Sequence, residues 1–402
     1  MSPLSRRKKW RVFIDLGHSK SRLVALSPDF SEMRFYQVPA AGLAKGKIVD
    51  RDAFTDSLRQ LTEASGINGL AYTASVNLPA NQTRTVVQTV NCRLNGSYRA
   101  RDYESIIEGS FESTFGGLDE VIDVLMLQLK VDGNIVDPLR FTAPGSEASA
   151  RLLLAIHPSV LLSDILACVN AAGIEVSEFR SNSFGVARAL TSLRGASENA
   201  VLLDFGHATI TGALMVGGVV NQIFCVPAGS GHITRDLAAG LCIDQIEAET
   251  LKTQVGILDK SSGAGAKLSH YALPRVSELM GLACKNFSIY SRSLDGGLLF
   301  CGGGAALAGL SEYTSQKFGI RPPFIAQLNN TGAKTFVGIN PTSPLAMAPG
   351  DPDEVKVDSG WISLLSQVRA SALFHRASLD EKNSRPLSRL NPLWTWLSEL
   401  SR

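Results

Sequence analysis

The feature that most constrains this chain is a short design used twice. Asp15-Leu-Gly-His18 near the N-terminus returns as Asp204-Phe-Gly-His207, 189 positions on (204 − 15 = 189). In each copy an apolar run ends on the aspartate and the chain turns at the glycine. Small or hydroxylated residues follow, and a second apolar run begins, over Phe13–Leu26 and again over Val201–Leu214. Such a loop joins two hairpin strands and sets a carboxylate beside bare backbone N–H groups, which suits a phosphate chain and its metal ion. Self-similarity at this spacing reads as a duplicated domain and not as a short-repeat array. The length agrees, since 402 residues with 45% apolar content can bury two cores.

Charge and cysteine usage remove several classes. A formal net charge of +2 argues against a dedicated nucleic-acid binder. The run Arg6-Arg7-Lys8-Lys9 reads as a solvated tail ahead of an arm for lipid or nucleic acid. Cys92, Cys168, Cys225, Cys242, Cys284 and Cys301 are scattered without a C-x-x-C pair, so they are expected as reduced residues of a cytosolic protein, with no disulfide framework or zinc site. No apolar segment follows the basic start and no run reaches about 18 apolar residues, so neither a secretory signal nor a membrane span is expected. The sequons at Asn81, Asn95 and Asn329 read as chance matches.

Along the chain, 11–26 reads as two strands joined at Gly17, with a third at 33–38. Gly42-Leu-Ala-Lys-Gly-Lys-Ile-Val-Asp50 imitates a Walker A loop but has one residue too few between Gly42 and Gly46, and Ile48 stands where a metal-binding hydroxyl is required. A turn into a helix at 52–65 and a strand at 71–79 are expected instead. Residues 84–175 have no counterpart in the second half. They read as a strand at 86–90, a helix at 101–115, a strand at 121–131 turning at Asp132-Gly133-Asn134, a strand at 151–156, and a helix at 159–172 stopped by Gly173. This pattern is a compact α+β insertion.

The second half adds a helix at 183–190, a strand at 219–227, and a helical stretch from Thr234 to Lys252. Asp244 caps a second helix within it that carries Glu247, Glu249 and Lys252. A helix at 268–291 follows. Gly297–Leu310 reads as a buried strand, a triple-glycine turn and a helix start. Leu307 breaks the dinucleotide fingerprint. Bare glycine backbone instead lets an adenosine approach and points helix N-terminal amides at phosphate. Beyond 320 the chain reads as loops, then a helix at 361–374, a polar linker at 375–389, and a last short helix opened by Asn391-Pro392.

Three of these motifs, in this order, carry a family resemblance. Asp15-Leu-Gly-His-Ser-Lys20 and Asp204-Phe-Gly-His-Ala-Thr209 resemble the first and second phosphate motifs of the actin/Hsp70/sugar-kinase superfamily, and Gly302-Gly-Gly-Ala-Ala-Leu-Ala-Gly309 resembles its adenosine motif. Gly229–Leu241 with Ala248–Lys252, and Gly42–Asp50, are similar to the bacterial FtsA and PilM branch. The resemblance covers about residues 10–320. It implies an α/β fold of two duplicated, ribonuclease-H-type actin-like domains flanking a nucleotide cleft, with an α+β insertion subdomain in the first. The implied boundaries are a basic tail at 1–10, a first domain at 11–83 and 176–198, and the insertion at 84–175. A second domain at 199–358 holds a small lobe near 240–295, followed by a helix and linker at 359–389 and an amphipathic membrane-targeting helix at 390–402.

Carried over by position, Gly17, His18, Ser19 and Lys20 line the phosphates of ATP from the first domain, and Gly206, His207 and Thr209 from the second. Asp15 and Asp204 hold Mg2+ through water, Gly302, Gly303 and Gly304 meet the ribose and α-phosphate, and Glu249 with Lys252 flanks the nucleoside. Other readings stand beside these. His18 and His207 are loop side chains facing solvent or a neighbour, or else they touch phosphate. Glu249 and Lys252 are equally a helix-surface pair. Asp15 and Asp204 could cap turns, although their matched positions favour the metal. The chain also departs from the family: His18 replaces a hydroxyl residue, His207 and Ala208 replace glycines, Thr211 stands where an acid is common, and the segment between Gly256 and Leu268 is short. ATP binding with weak or absent hydrolysis is the expectation.

On a wheel of about 100° per residue, Leu393, Trp396, Leu397 and Leu400 share one face of the last helix, with Trp394 at its edge. It docks on its own domain or lies in a membrane interface, where tryptophan is favoured and which so short a helix cannot span. Arg376, Lys382, Arg385 and Arg389 would add attraction to anionic lipid. The implied role is a cell-division protein at the cytoplasmic face of the inner membrane, peripheral and polymer-forming, with FtsZ and other division proteins as partners and no nucleic acid. A PilM-like scaffold of a type IV pilus platform is the alternative, and a small-molecule kinase of the superfamily a distant one.

Overall fold

The computed structural model describes residues 9–28, 32–112, 118–139, 141–193, 199–256, 263–288, 293–320, 324–325 and 359–383. Among them the chain divides into two compact units, one of residues 9–184 with 367–383, the other of residues 185–325 with 359–366.

The first unit opens with an antiparallel meander, β1 (Trp10–Leu16), β2 (Lys20–Leu26) and β3 (Met33–Pro39). The segment expected as a plain turn forms a small hairpin, β4 (Leu43–Ala44) and β5 (Lys47–Ile48). Helix α1 (Arg51–Ser65) follows because Asp50 accepts a hydrogen bond from the Ala53 N–H at its start, and it ends where Gly66 turns left-handed. Strand β6 (Tyr72–Leu78) then pairs parallel to β1.

The insertion comes next as a sheet of its own. It contains β7 (Arg84–Arg93), α2 (Ala100–Phe111), β8 (Asp119–Val131), β9 (Asn134–Val136) and β10 (Glu147–Pro158), in the order β7-β10-β8-β9. Asp132 and Gly133, both at positive φ, make the β8–β9 turn that the sequence signals. Leu152, Leu154 and Ile156 alternate into a core with Val124, Leu129 and Tyr98. Helix α2 stops at Phe111, short of the expected 115. Helix α3 (Ser159–Ala171) contacts α1 as well as β10, and Gly173 turns left-handed behind it. Strand β11 (Val176–Ser181) returns to lie parallel to β6, which gives a sheet ordered β11-β6-β1-β2-β3.

After α4 (Asn182–Leu193), the second unit repeats that plan. Strands β12 (Ala200–Phe205), β13 (Ile210–Val216) and β14 (Val219–Val226) form an antiparallel meander. Helices α5 (Ser230–Leu241), α6 (Gln245–Val255) and α7 (Gly263–Lys285) intervene, and β15 (Gly297–Cys301) pairs parallel to β12. Helix α8 (Leu310–Phe318) precedes β16 (Phe324–Ile325), parallel to β15. The order β14-β13-β12-β15-β16 reproduces the first sheet strand for strand and direction for direction. Val201, Leu203 and Phe205 alternate into a core met by Ile233 and Leu237 of α5 and by Val276, Leu279 and Ala283 of α7.

Other boundaries also differ from expectation. Helix α5 begins at Ser230, not Thr234, because Ser230 and Gly231 donate their N–H groups to the preceding loop and so need no helical acceptor. Helix α7 begins at Gly263 and runs through Pro274. The last described helix, α9 (Ile362–Asn383), continues through the first part of the expected linker. Phe374, the last residue of the expected helix, packs on Tyr103 and Phe141 of the insertion, with ring centroids 5.1 and 6.1 Å away. Among the described residues no helix is long and apolar enough to cross a membrane. The final amphipathic segment with Leu393, Trp394, Trp396, Leu397 and Leu400 lies outside the described residues, as do Arg385 and Arg389.

Candidate functional site

In the first unit the loop between β1 and β2 is set by Gly17. A Cβ there would stand 2.3 Å from the Lys20 carbonyl oxygen, so only glycine closes the turn. Ser19 and Lys20 are exposed. His18 faces a neighbour: its Nε2 accepts from the Gly46 N–H at 3.0 Å, which fastens the β4–β5 hairpin to the loop. Gln82 holds the same hairpin by donating to the Lys45 carbonyl at 2.8 Å. Asp15 is buried beneath the loop, with Arg22 Nη1 3.6 Å from its Oδ2. Burial pushes the Asp15 carboxyl up from its ordinary range, and Arg22 pulls it back in part.

The loop between β12 and β13 is braced more heavily. The Gly206 N–H bonds the Thr209 carbonyl, and the Gly206 and His207 carbonyls accept from the Ser230 and Gly231 N–H groups at 2.9 and 2.8 Å. The first amides of α5 are therefore committed to holding the loop and do not point at a ligand. Gly229 and Gly231 permit this close approach, since a Cβ on Gly229 would stand 2.4 Å from the Gly206 carbonyl oxygen and one on Gly231 2.5 Å from His207 Nε2. His207 thus packs against Gly231. Burial lowers its pKa first and the Lys252 charge lowers it further, which keeps the imidazole neutral near pH 7.

The triple glycine divides into two kinds of position. Gly302 sits at φ 85°, and a Cβ there would fall 2.2 Å from Asp204 Oδ1 and 2.8 Å from the Phe205 nitrogen. On Gly304 a Cβ would fall 2.7 Å from the Phe205 carbonyl oxygen. Both are fixed by packing against the end of β12. Gly303 is exposed, with open space where its Cβ would be. Trp361, wholly buried, belongs to a short turn that returns the chain to this glycine turn.

Glu249 and Lys252, placed beside the nucleoside by resemblance, form an internal lock between α5 and α6. Lys252 Nζ donates to Glu249 Oε2 at 2.7 Å, to Thr234 Oγ1 at 2.9 Å and to the Ser230 carbonyl at 3.4 Å, and the residue is 4% exposed. All three ammonium donors are engaged, so Lys252 reaches no ligand; Glu249 alone keeps an exposed edge. This is more than a plain surface pair, and of the two only Glu249 faces outward. Thr234 and Ser230, its other members, carry no local sequence signal, because they lie on a different helix.

A divalent ion was expected on Asp15 and Asp204. Among the described residues no three His, Cys, Asp or Glu side chains gather into a metal-binding group. Asp15 does not suit a metal, because a guanidinium already lies against it. Asp204 has Thr211 and Cys301 as its neighbours across the sheet, neither of them a cation. Burial, and then Asp204, raises the Cys301 thiol well above its ordinary value; Cys225, one strand further, is pushed up to about 11, mainly by burial. These thiols stay protonated and unreactive.

Comparison with known proteins gives a consistent result. Residues 201–338 match the family model "Cell division protein FtsA". The FtsA of Bacillus subtilis (strain 168) is 23% identical over 330 residues, covering 74% of this chain and 74% of that protein. The FtsA of Borreliella burgdorferi is 23% identical over 310 residues, covering 69% of this chain and 74% of its own length. Among solved structures, a chain of the PilM–PilN type IV pilus biogenesis complex superposes with a TM-score of 0.59 at 15% identity, covering 92% of this chain and 98% of that one. The fold is actin-like, and the chain is similar to FtsA proteins in sequence.

Proposed function

We propose that this FtsA-like chain of actin-like fold is an ATP-binding cell-division protein that assembles at the cytoplasmic face of the membrane and tethers FtsZ. The observation that carries the nucleotide part is the glycine turn of the second unit. Gly302 and Gly304 are pinned to the end of β12 beside Asp204, while Gly303 between them stays open, so bare backbone is presented next to the phosphate loop. Gly206 and Thr209 supply loop backbone and a hydroxyl, and Gly303 allows the close approach of a sugar or phosphate. Glu249 offers its exposed edge to a ribose hydroxyl. Bound ATP brings a triphosphate charge that the loop donors satisfy, with a magnesium ion held by Asp204 through water. In the first unit Gly17, Ser19 and Lys20 form the second phosphate loop. Binding takes precedence over turnover, because His207 and Ala208 stand where the family has glycines and crowd the phosphate loop.

The test is Gly303→Glu. Its side chain enters open space, so the fold should survive, while fluorescent ATP-analogue binding should fall by an order of magnitude or more. Equal binding by variant and parent would sink the assignment. The membrane part rests on the Trp/Leu pattern at 393–400, and Trp394→Asp should abolish sedimentation with anionic liposomes while leaving nucleotide binding intact. Pull-down with an FtsZ tail peptide, beside a PilN N-terminal peptide, separates the division role from the pilus scaffold, for which the likeness to PilM supplies the fold alone.

A further inference from the structure

Because the two sheets share one strand order, each position in one has a counterpart in the other, including the row that carries the loop acid. In the second unit that row reads Cys225, Thr211, Asp204, Cys301 across β14, β13, β12 and β15. In the first it reads Gln37, Arg22, Asp15, Asn77, Arg180 across β3, β2, β1, β6 and β11. Arg22 therefore occupies the place of Thr211. Its guanidinium reaches Asp15 with the two side chains only 14% and 12% exposed, so water screens the pair poorly. On the other flank the Asn77 side chain is wholly buried, with neither amide atom hydrogen-bonded. Asp15 thus lies between a fixed cation and a neutral buried amide.

We infer that Arg22 is the resident cation of the first phosphate loop: it holds Asp15 in a buried ion pair and keeps a divalent metal off that carboxylate. This rests on the nucleotide-binding reading above and deepens it. A metal at Asp15 would have to approach a like charge across a few ångströms of poorly screened space, or else break the buried ion pair by expelling the guanidinium. The first loop therefore meets phosphate through backbone N–H groups and Lys20, without a metal bridge to Asp15.

The test is manganese binding by electron paramagnetic resonance on the full chain, without nucleotide, for the parent, Arg22→Gln, Asp15→Asn and the double variant. Parent and Asp15→Asn should hold the same amount of Mn2+. Arg22→Gln should bind it about tenfold or more tightly, the scale on which one adjacent cation perturbs a carboxylate, and the double variant should lose that gain. Loss of Mn2+ from the parent on Asp15→Asn alone, or no gain in Arg22→Gln, overturns the inference. Arg22→Thr, which copies the second unit's row, serves if Arg22→Gln does not fold. Fluorescent ATP-analogue binding in EDTA is measured alongside. Its absence in every protein would refute nucleotide binding and leave the manganese result to decide the role of Arg22.

Discussion

Alanine placed at each of the three glycines 302–304 should give three different outcomes from one chemical change. At Gly302 the backbone lies at φ 85° and ψ 163°, a region that side chains avoid at a cost of about 1–3 kcal/mol. The new methyl would also overlap Asp204 Oδ1 at 2.2 Å and the Phe205 nitrogen at 2.8 Å. The carboxylate can rotate away, but the backbone nitrogen cannot, which adds roughly 1–3 kcal/mol of overpacking. The sum, about 2–6 kcal/mol, corresponds to a Tm loss of roughly 4–24 °C for a unit of this size. Gly304→Ala meets only the second kind of penalty, from the Phe205 carbonyl at 2.7 Å, about 1–3 kcal/mol. Gly303→Ala meets nothing within 4 Å and should stay within about 0.5 kcal/mol of the parent. Urea titration followed by circular dichroism, with a thermal melt in parallel, ranks the three. Gly303→Ala as damaging as Gly302→Ala would refute the division of the turn into pinned and open positions.

Lys252→Met keeps the buried volume but removes three donors; it should cost about 1–3 kcal/mol in urea unfolding, since Glu249 is half-exposed and can regain water. A neutral result would mean the lock contributes nothing. The same pair sets a pH dependence. Burial raises the Glu249 carboxyl, but hydrogen bonds from Lys252 and Thr234 and the Lys252 charge outweigh it and leave the pKa depressed. A depressed folded value gives stability that is present above the unfolded value of about 4.3 and is lost as pH falls through the folded one. The Tm gap between parent and Lys252→Met should therefore narrow from about pH 7 to about pH 3; a constant gap would contradict the assignment.

Much of the fold was legible because it rests on local rules. Asp15 and Asp204 end short continuous apolar runs, each followed by a glycine turn and a second apolar run, and those patterns dictate two equivalent hairpins. Asp50 and Asp244 cap α1 and α6 by accepting from the backbone N–H three residues on, a relation contained within one turn. Gly173 and Asp132-Gly133 mark their turns through backbone conformations that only a few residues adopt.

What tertiary structure alone decided is which polar groups face a ligand and which face the protein. The matched aspartates gave no sign that a guanidinium would meet Asp15, because that depends on Arg22 arriving from the neighbouring strand at the place where Asp204 meets Thr211. Lys252 carried the spacing of a surface pair, yet Thr234 and the Ser230 carbonyl on another helix turned it inward. His18 was engaged by Gly46, 28 residues away. Sequence determined the two hairpins and their glycine turns, since short apolar runs and backbone freedom are properties of neighbouring residues. The roles of the charged side chains were set by packing, because burying a charge is costly until a partner from a distant segment meets it.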